Sequence, residues 1–455
     1  MKRAIGRFKG LHPDHMRIAR GAMRVAFFLL IGKMAGALKE MAVAHRYGVS
    51  EVVDAYQFTM TMANWLPITI VGAFSIVLIP VLVKTRYAPG SERVQFIREL
   101  QGWVLAIGVV TGVLTWLLWP YILDYSAGNL SQMTRQHSSE LIWAFAPAAL
   151  LTLLIGVGTS RLRAHERHVN TLLESIPALM ILVWILLTPG DVSVMPLLLG
   201  TLVGYVIQAV WLMVLARKAD NGIWGVPSFT FKSHQWPLLL NAAGVMLIGQ
   251  IAMSFVGPLD QIAAASLGDN ANATLGYATR LLSLIIGLGA ASVGRAALPV
   301  LADVQSQGDA LRARNMALKW SVLMLAGGVV AVAACWVLAP WIVKILFENG
   351  AFTADDTIAV ASVLRWGILQ LPFYFGVLIL VQLMASQNRY KLMAAIAVAN
   401  FALKAVLNQI LAPLMGAEGI MLATSCMYLL SYICYVFVTL THDVSKQSTS
   451  EKTTD

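Results

Sequence analysis

Six cationic side chains lie inside stretches that are otherwise apolar enough to cross a membrane. They are Lys33, Lys39, Arg280, Arg295, Arg365 and Lys404. A charged side chain at the centre of a bilayer costs at least about 2.5–3.5 kcal/mol, so each of them is a candidate for function. Lysine and arginine bind phosphate oxygens through charge-assisted hydrogen bonds. These residue types therefore indicate recognition of a phosphate-bearing ligand.

The first of these stretches also carries an acidic residue. Lys33 and Glu40 are seven residues apart, which places them on one helix face with Gly36. Asp54 begins the next apolar stretch. Glu40 and Asp54 offset part of the positive charge, and the excess that remains suits a polyanionic headgroup. A drug–cation exporter would instead carry mostly acidic residues in its cavity.

The cations in the second half of the chain have more than one interpretation. Lys404 shares a helical stripe with Asn400 and Asn408, which predicts one polar face lining a cavity. Arg295 lies near the predicted end of its span, from which a long side chain can reach the headgroups. Arg365 lies deeper, and with Lys404 it is a candidate substrate-binding cation of the cavity, although a structural role for it stays open from the sequence.

The motifs give no support for enzymatic chemistry. The eight histidines fall in predicted loops, tails or span ends, and no nucleophile elbow, Walker loop or paired-carboxylate motif occurs. Cys335, Cys426 and Cys434 are without the spacing of metal ligands. We therefore expect no catalytic residue, no cofactor and no metal site.

The composition identifies the class of protein. The 455 residues are 58% hydrophobic and 12% charged, with a mean hydropathy of +0.71, whereas soluble domains are about 45–50% apolar and about 25% charged. Such a chain cannot cover a soluble surface, which excludes soluble enzymes and nucleic-acid-binding proteins. With about 20 apolar residues for each crossing, the sequence predicts an all-α integral membrane protein of twelve helices. Their approximate ranges are 22–44, 53–83, 99–123, 140–160, 171–189, 195–216, 236–258, 272–301, 317–343, 356–384, 391–412 and 417–440.

The distribution of basic residues predicts the topology. Of 33 lysines and arginines, 24 fall on, or within three residues of, the N-terminus, the even-to-odd connections and the C-terminal tail, and only three fall on the opposite side. This asymmetry predicts that both termini are cytoplasmic. The predicted segments are a basic N-terminus 1–21, an N-terminal lobe 22–217, a cytoplasmic linker 218–235, a C-terminal lobe 236–440 and a disordered tail 441–455.

The two predicted six-helix halves resemble each other. Residues 116–122 (WLLWPYI) match 336–342 (WVLAPWI), and residues 79–82 (IPVL) match 298–301 (LPVL), at offsets of 220 and 219. Because each half holds an even number of spans, the matches predict two parallel six-helix repeats around a central cavity. Glycines and prolines mark the predicted hinges and gates. They are Gly36, Pro67, Gly72, Pro80 and Pro299.

Five segments carry motifs of one transporter family. They are 32–40 (GKMAGALKE), 54–56 (DAY), 72–82 (GAFSIVLIPVL), 277–282 (YATRLL) and 347–353 (FENGAFT). Together they resemble the MviN/MurJ branch of the multidrug/oligosaccharidyl-lipid/polysaccharide (MOP) exporter superfamily. The resemblance implies flipping of an undecaprenyl-pyrophosphate-linked glycan across the bacterial inner membrane by alternating access. It also implies that Lys33, Lys39 and Arg280 hold the pyrophosphate and sugars, with Asp54 as an acidic companion.

Departures from the family pattern bear on the substrate. Lys33 and Lys39 stand where the family has arginines, Thr279 stands where it has an aspartate, and its arginine pair is missing around residues 67–71. Lysine keeps the positive charge but loses the bidentate fork. Twelve helices are predicted where peptidoglycan flippases of this family usually have fourteen. We therefore expect an exopolysaccharide repeat unit as substrate rather than the peptidoglycan precursor lipid II.

Other functions stay open from the sequence. They are a MurJ-type lipid II flippase, a small-molecule exporter of the same fold, and a membrane glycan polymerase or ligase. The predicted outer loops are short, which argues against a polymerase with a large catalytic loop. The expected partners are the lipid-linked glycan, membrane lipids, and glycosyltransferases and a polymerase of the same pathway, without nucleic acid.

Overall fold

The regular elements of the part of the chain described by this computed structural model are all helices. That part is residues 13–441 without 86–89, 166, 168, 191–192, 221, 223–225, 288–309 and 388. The helices are α1 (Pro13–Tyr47), α2 (Glu51–Thr85), α3 (Gly90–Ser126), α4 (Gln132–Ala164), α5 (Asn170–Leu173), α6 (Ile176–Leu187), α7 (Met195–Ala219), α8 (Trp236–Ser254), α9 (Val256–Ala265), α10 (271–287), α11 (Ala310–Phe347), α12 (Ala354–Ile368), α13 (Leu371–Ser386), α14 (Tyr390–Met415) and α15 (Ala417–Thr441).

The described helices confirm a multi-pass membrane protein. Eight of them, or up to nine if the bent α2 counts as one span, are long and apolar enough to cross a bilayer. Two predicted spans are each formed by a pair of helices. The span at 171–189 contains α5 and α6, and the span at 356–384 contains α12 and α13. The count of twelve spans stays a prediction.

Helix α2 is bent in its second half. Its axis turns by 48° between Ser75 and Val77, one helical turn before Pro80. Proline lacks the N–H that would bond to the carbonyl four residues earlier, and its ring presses against that carbonyl. Such a proline is an ordinary cause of a helix kink. The sequence therefore encodes this bend locally.

Residues from three segments form one compact unit, called unit 1. The segments are Met1–Val43, Leu66–Leu118 and Leu141–Ala243. Its apolar core joins Leu78 of α2, Phe96 of α3 and Leu239 of α8, all of which are buried. A β-carbon on Gly200 or Gly204 of α7 would lie 2.5 Å from the backbone of α6. Small residues therefore allow these two helices to approach closely, as is common between membrane helices.

The remaining segments form a second compact unit, called unit 2. They are Ala44–Trp65, Trp119–Glu140 and Gly244–Asp455. Its core joins Ala317 of α11, Leu380 of α13 and Tyr435 of α15. A β-carbon on Gly328 of α11 would lie 2.4 Å from Pro372, so α11 and α13 pack at backbone distance. The lobe boundaries at 22–217 and 236–440, which were derived from the repeat, stay predictions.

The predicted hinge residues have differing surroundings. Pro67 lies inside α2, next to the boundary at Trp65 and Leu66 where the chain passes from one compact unit to the other. A β-carbon on Gly36 would meet no atom within 4 Å. Gating by Gly36, Pro67, Gly72 and Pro80 stays a prediction, and Pro299 lies outside the described residues together with the candidate cation Arg295.

Candidate functional site

Helix α1 carries the predicted substrate cations of unit 1. Lys33 is exposed, whereas Lys39 and Glu40 are buried. Lys39 Nζ lies 2.6 Å from Glu40 Oε1. Neighbouring positions on a helix normally point in different directions, so the two side chains bend toward each other to form this ion pair. The helix thus presents one exposed cation and one buried cation that is balanced by an adjacent carboxylate.

Asp54 acts as a helix cap inside unit 2. Its Oδ1 accepts a hydrogen bond from the backbone N–H of Ala273 at 2.5 Å, and its Oδ2 accepts one from the N–H of Asn270. The first N–H groups of a helix have no partner within the helix, and the positive end of the helix dipole favours a carboxylate. Nearby, the hydroxyl of Tyr277 donates to the carbonyl of Gly48 at 2.9 Å. Asp54 therefore joins the first turn of α2 to the start of α10.

Arg280 lies further along α10 in the same unit. The side chain is half-buried, and Nη2 is 3.3 Å from Sδ of Met60 on α2. A thioether is a weak acceptor, so this contact orients the guanidinium with little electrostatic stabilisation. Thr279, which stands where the family has an aspartate, is exposed. Arg280 thus lies on the helix that Asp54 caps.

Lys404 is the most enclosed of the candidate cations. Its side chain is fully buried, and Nζ lies 2.9 Å from Oδ1 of Asp260 on α9. The ammonium also donates to the carbonyl of Ile420 at 2.6 Å and to the hydroxyl of Thr424 at 2.5 Å. An ammonium group has three donors, and all three are directed to protein oxygens. Lys404 thus joins α9, α14 and α15, and its predicted contact with substrate stays a prediction.

The polar stripe predicted around Lys404 lies on one buried face of α14. Asn408 Nδ2 donates to Oδ1 of Asp260 at 2.9 Å. Asn400 is also buried, and its Oδ1 has no hydrogen-bond partner among the described residues. The sequence analysis did not single out Asp260, although an isolated acid beside an apolar span is a signal for a charged partner.

Arg365 donates a hydrogen bond to a backbone carbonyl of α11 that has no helical N–H partner because of a proline. Its Nε donates to the backbone carbonyl of Trp336 at 3.0 Å, and its guanidinium carbon lies 6.0 Å from the centre of the Trp336 ring. In a regular helix the carbonyl of Trp336 would accept from the N–H of residue 340, but that residue is Pro340. Arg365 on α12 therefore completes the backbone bonding of α11, and a substrate role for it stays a prediction.

A double substitution can test this structural role. We expect Arg365→Met to lower the free energy of unfolding by about 1–3 kcal/mol, because a carbonyl loses its donor. Pro340→Ala restores an N–H at position 340, so Arg365→Met should cost less than half as much in that background. Chemical denaturation in mixed micelles measures both values. An equal cost in the two backgrounds would show that Arg365 does not replace the missing N–H.

A second buried ion cluster lies where α7 ends in unit 1. Asp220 Oδ2 accepts from Arg161 Nε at 2.7 Å, and Oδ1 lies 2.7 Å from His165 Nε2 and 2.9 Å from Arg93 Nη2. Burial acts to raise the pKa of Asp220, but the charge of Arg161 and the hydrogen bonds from all three partners hold it below its ordinary value. The ionised carboxylate therefore joins the ends of α4 and α7 to α3.

Two basic residues at the end of α4 bind Asp220, namely Arg161 in the last turn of the helix and His165 directly after it. The described part of the chain contains no group of three or more histidine, cysteine, aspartate or glutamate side chains that could hold a metal ion.

Comparisons with known sequences identify the family. The sequence profile of the family described as "Lipid II flippase MurJ" matches residues 43–453. A protein named probable lipid II flippase MurJ from Synechocystis sp. is 28% identical over an alignment of 436 positions that covers 91% of this chain and 80% of the relative. Another of that name from Bdellovibrio bacteriovorus is 23% identical over 432 residues, with the same shares of 91% and 80%.

Solved structures show the same fold. A lipid II flippase MurJ in an inward closed conformation matches with a TM-score of 0.79 at 19% identity, over 93% of this chain and 88% of that one. An inward-facing MATE family multidrug resistance transporter of the MOP superfamily matches with a TM-score of 0.74 at 14% identity, over 94% and 100%. The resemblance carried by the five motifs is confirmed, as is the expectation of a transporter rather than an enzyme. With its MOP-superfamily fold and a family profile that spans most of its sequence, the chain belongs to the lipid II flippase MurJ family.

Proposed function

We propose that this chain moves an undecaprenyl-pyrophosphate-linked glycan from the inner to the outer leaflet of the bacterial cytoplasmic membrane. The observation that carries the proposal is the family match over residues 43–453, together with relatives that are named lipid II flippases. The fold shared with MATE transporters supports alternating access as the mechanism.

Lipid II is the glycan carrier that we propose as substrate. The names of the relatives support it, and none of the comparisons supports the exopolysaccharide repeat unit that the sequence departures favoured. Lys33 and Lys39 keep the positive charge of the family arginines, and a lysine binds phosphate as a point charge. The loss of bidentate geometry is therefore compatible with pyrophosphate binding.

We assign the pyrophosphate to Lys33, Lys39 and Arg280. Lys33 is exposed on α1 between the exposed apolar residues Ile31 and Met34, which leaves its charge accessible to a ligand. Lys39 is balanced by Glu40 at 2.6 Å, so a phosphate oxygen that binds Lys39 competes with this carboxylate. The competition keeps the buried lysine paired in the absence of substrate, which lowers the cost of its burial.

Vesicle transport measurements test the function. We expect the protein in proteoliposomes to move fluorescent lipid II between leaflets, measured as loss of protection from an impermeant quencher. Lys39→Ala and Arg280→Ala should each reduce the rate at least about tenfold, because a charge-assisted hydrogen bond contributes about 1.5–3 kcal/mol. Lys84→Ala, which removes an exposed cation at the end of α2, is the matched control and should leave the rate unchanged.

Two further arms make the result decisive. Lys39→Ala takes away the ion-pair partner of Glu40, and adding Glu40→Gln removes the negative charge that is left. If this double variant is folded but still transports lipid II slowly, the loss of rate reflects weaker substrate binding and not lower stability. The same carrier bearing only a neutral oligosaccharide tests the alternative substrate. Faster movement of this oligosaccharide than of lipid II would overturn the substrate assignment, and wild-type rates in both alanine variants would overturn the role of the cations.

A further inference from the structure

The chain that leads into α8 lies along α3 within unit 1. This segment, residues 226–235 of the predicted linker, is called the strap. The backbone N–H of Ser228 donates to the carbonyl of Arg98 at 3.0 Å, and Arg98 Nε donates to the carbonyl of Val226 at 2.9 Å. A β-carbon on Gly102 of α3 would lie 2.2 Å from the carbonyl oxygen of Ser228. The strap and α3 are therefore in contact at backbone distance, at a position where a larger residue would not fit.

A buried carboxylate of α3 binds the strap. Glu99 is fully buried. Its Oε1 accepts hydrogen bonds from the hydroxyl of Thr230 at 2.7 Å and from the N–H of Lys232 at 3.0 Å. Its Oε2 accepts from the N–H of Ser233 at 3.2 Å and from Nε1 of Trp236 at 2.7 Å. The strap and the first residue of α8 thus direct four donors to one carboxylate, which has about four lone-pair sites.

Aromatic contacts add to these hydrogen bonds. Phe231 of the strap stacks on Trp103 of α3 with ring centres 4.4 Å apart, and its ring meets that of Trp236 edge-on at 5.0 Å. Trp103 Nε1 donates to the carbonyl of Thr230 at 3.2 Å. The ring of the buried Phe96 lies 5.7 Å from that of Trp236. Polar and apolar contacts therefore hold the strap and the start of α8 against α3 together.

The contacts favour a strap that stays in place. Its detachment would take four donors from Glu99, and a buried charge that is left without compensation is strongly unfavourable. The division of the chain into compact units agrees with this, because unit 1 contains α3, the strap and residues 236–243 of α8. Those residues of α8 begin the predicted C-terminal lobe.

We infer that the strap stays bound to α3 throughout the transport cycle, with Glu99 as its positioning residue, an inference that rests on the proposed function. The connection between the predicted lobes is then rigid along residues 226–235. The start of α8 moves as one body with α3 while the lipid-linked glycan passes from one leaflet to the other.

Crosslinking tests the inference on the full chain. Arg98→Cys and Ser228→Cys are introduced together, with Cys335, Cys426 and Cys434 replaced by alanine, and the new pair is joined in proteoliposomes by a short bis-methanethiosulfonate reagent. We expect the crosslinked protein to move fluorescent lipid II within about twofold of its rate before crosslinking. A rate at least about fivefold lower, which recovers on reduction, would overturn the inference.

A second crosslink is the matched control. Ser131 directly precedes α4, and its N–H donates to Oδ1 of Asp269 between α9 and α10 at 3.1 Å. The two residues belong to different predicted lobes, so Ser131→Cys joined to Asp269→Cys should slow transport at least about tenfold by preventing alternating access. Unchanged rates in both crosslinked proteins would contradict alternating access, and hydrogen exchange would then decide on the strap.

Hydrogen exchange gives a measurement that does not depend on transport. We expect the N–H groups of Lys232 and Ser233 to be protected to the same extent with and without lipid II. Glu99→Gln leaves one acceptor oxygen and should speed their exchange at least about fivefold while unit 2 keeps its protection. Glu140→Gln, at a side chain that is 42% exposed in α4, should change nothing. Protection that is lost with lipid II, or that is equal in wild type and Glu99→Gln, would contradict the inference.

A rescue experiment separates positioning from general stability. In the protein with Arg98→Cys and Ser228→Cys, adding Glu99→Gln should slow transport at least about threefold before crosslinking, because the strap is loosened. The crosslink then replaces the lost hydrogen bonds and should restore the rate. A slow variant that the crosslink does not restore would contradict the positioning role of Glu99.

The same measurements keep the two proposals apart. A protein that does not move lipid II before any crosslink, but whose strap is protected with and without this lipid, would contradict the proposed function alone. A protein that moves lipid II but is stopped by the crosslink between positions 98 and 228 would contradict the fixed strap alone.

Discussion

Replacing Lys404 with methionine should lower the free energy of unfolding by about 3–5 kcal/mol. The side chain of Asp260 is only 19% exposed, and the change removes its ion-pair partner. Removing one member of a buried pair carries a cost of about this size, because the remaining charge is not compensated. Chemical denaturation in mixed micelles measures the change.

The double variant Lys404→Met with Asp260→Asn should recover at least half of that loss, since no charge is left buried. Lys344→Met is the control. Lys344 is 61% exposed in its pair with Glu348, so we expect a change of less than about 1 kcal/mol. If Lys404 acts only within the protein, the double variant should also transport lipid II near the wild-type rate. A folded double variant without transport would instead restore Lys404 to the substrate site.

Asp54→Ala should be the second most damaging substitution, with a loss of about 3–5 kcal/mol in the free energy of unfolding. Asp54 is fully buried, and both of its oxygens accept hydrogen bonds from the backbone at the start of α10. A hydrogen bond to a charged group contributes about 1.5–3 kcal/mol, and two are lost together. Their N–H groups are also left at a buried helix end, where no water replaces the carboxylate.

Asp54→Asn separates the cap from the charge. Asparagine is as good a capping residue as aspartate at most helix ends, but it keeps only one acceptor oxygen, so we expect about half the loss of the alanine variant. Asp355→Ala, an exposed acid in the first turn of α12, should change stability by less than about 0.5 kcal/mol. A loss in Asp54→Ala no larger than that of the control would show that the cap does not hold α10.

Several features of this protein follow from local properties of the chain. The low charge and the apolar stretches predict a helical membrane protein, and the structure confirms this because a backbone in lipid must satisfy its own hydrogen bonds. Pro80 predicts a helix bend that the structure contains one turn earlier. The five motifs taken together indicated the family, which the profile match over residues 43–453 confirms.

The sequence was a weaker guide to the role of each charge. Lys404, Arg365 and Asp54 carry the same signal, a charge in an apolar stretch, and all were predicted to line the cavity. The structure gives each a protein partner within unit 2. Lys404 binds Asp260, Arg365 binds a carbonyl released by a proline, and Asp54 binds the backbone of α10. The free-energy cost of burying a charged side chain shows that the charge needs a partner. It does not show which group that partner is.

By itself the sequence determined the class of protein, the family and the set of charges that need an explanation, because composition, hydropathy and motifs belong to contiguous residues. Only the tertiary structure decided how those charges are used. The partners of Lys404 and Asp54 lie 144 and 219 residues away in the chain, at Asp260 and Ala273. Which distant groups meet depends on helix packing, and packing is a property of the whole fold.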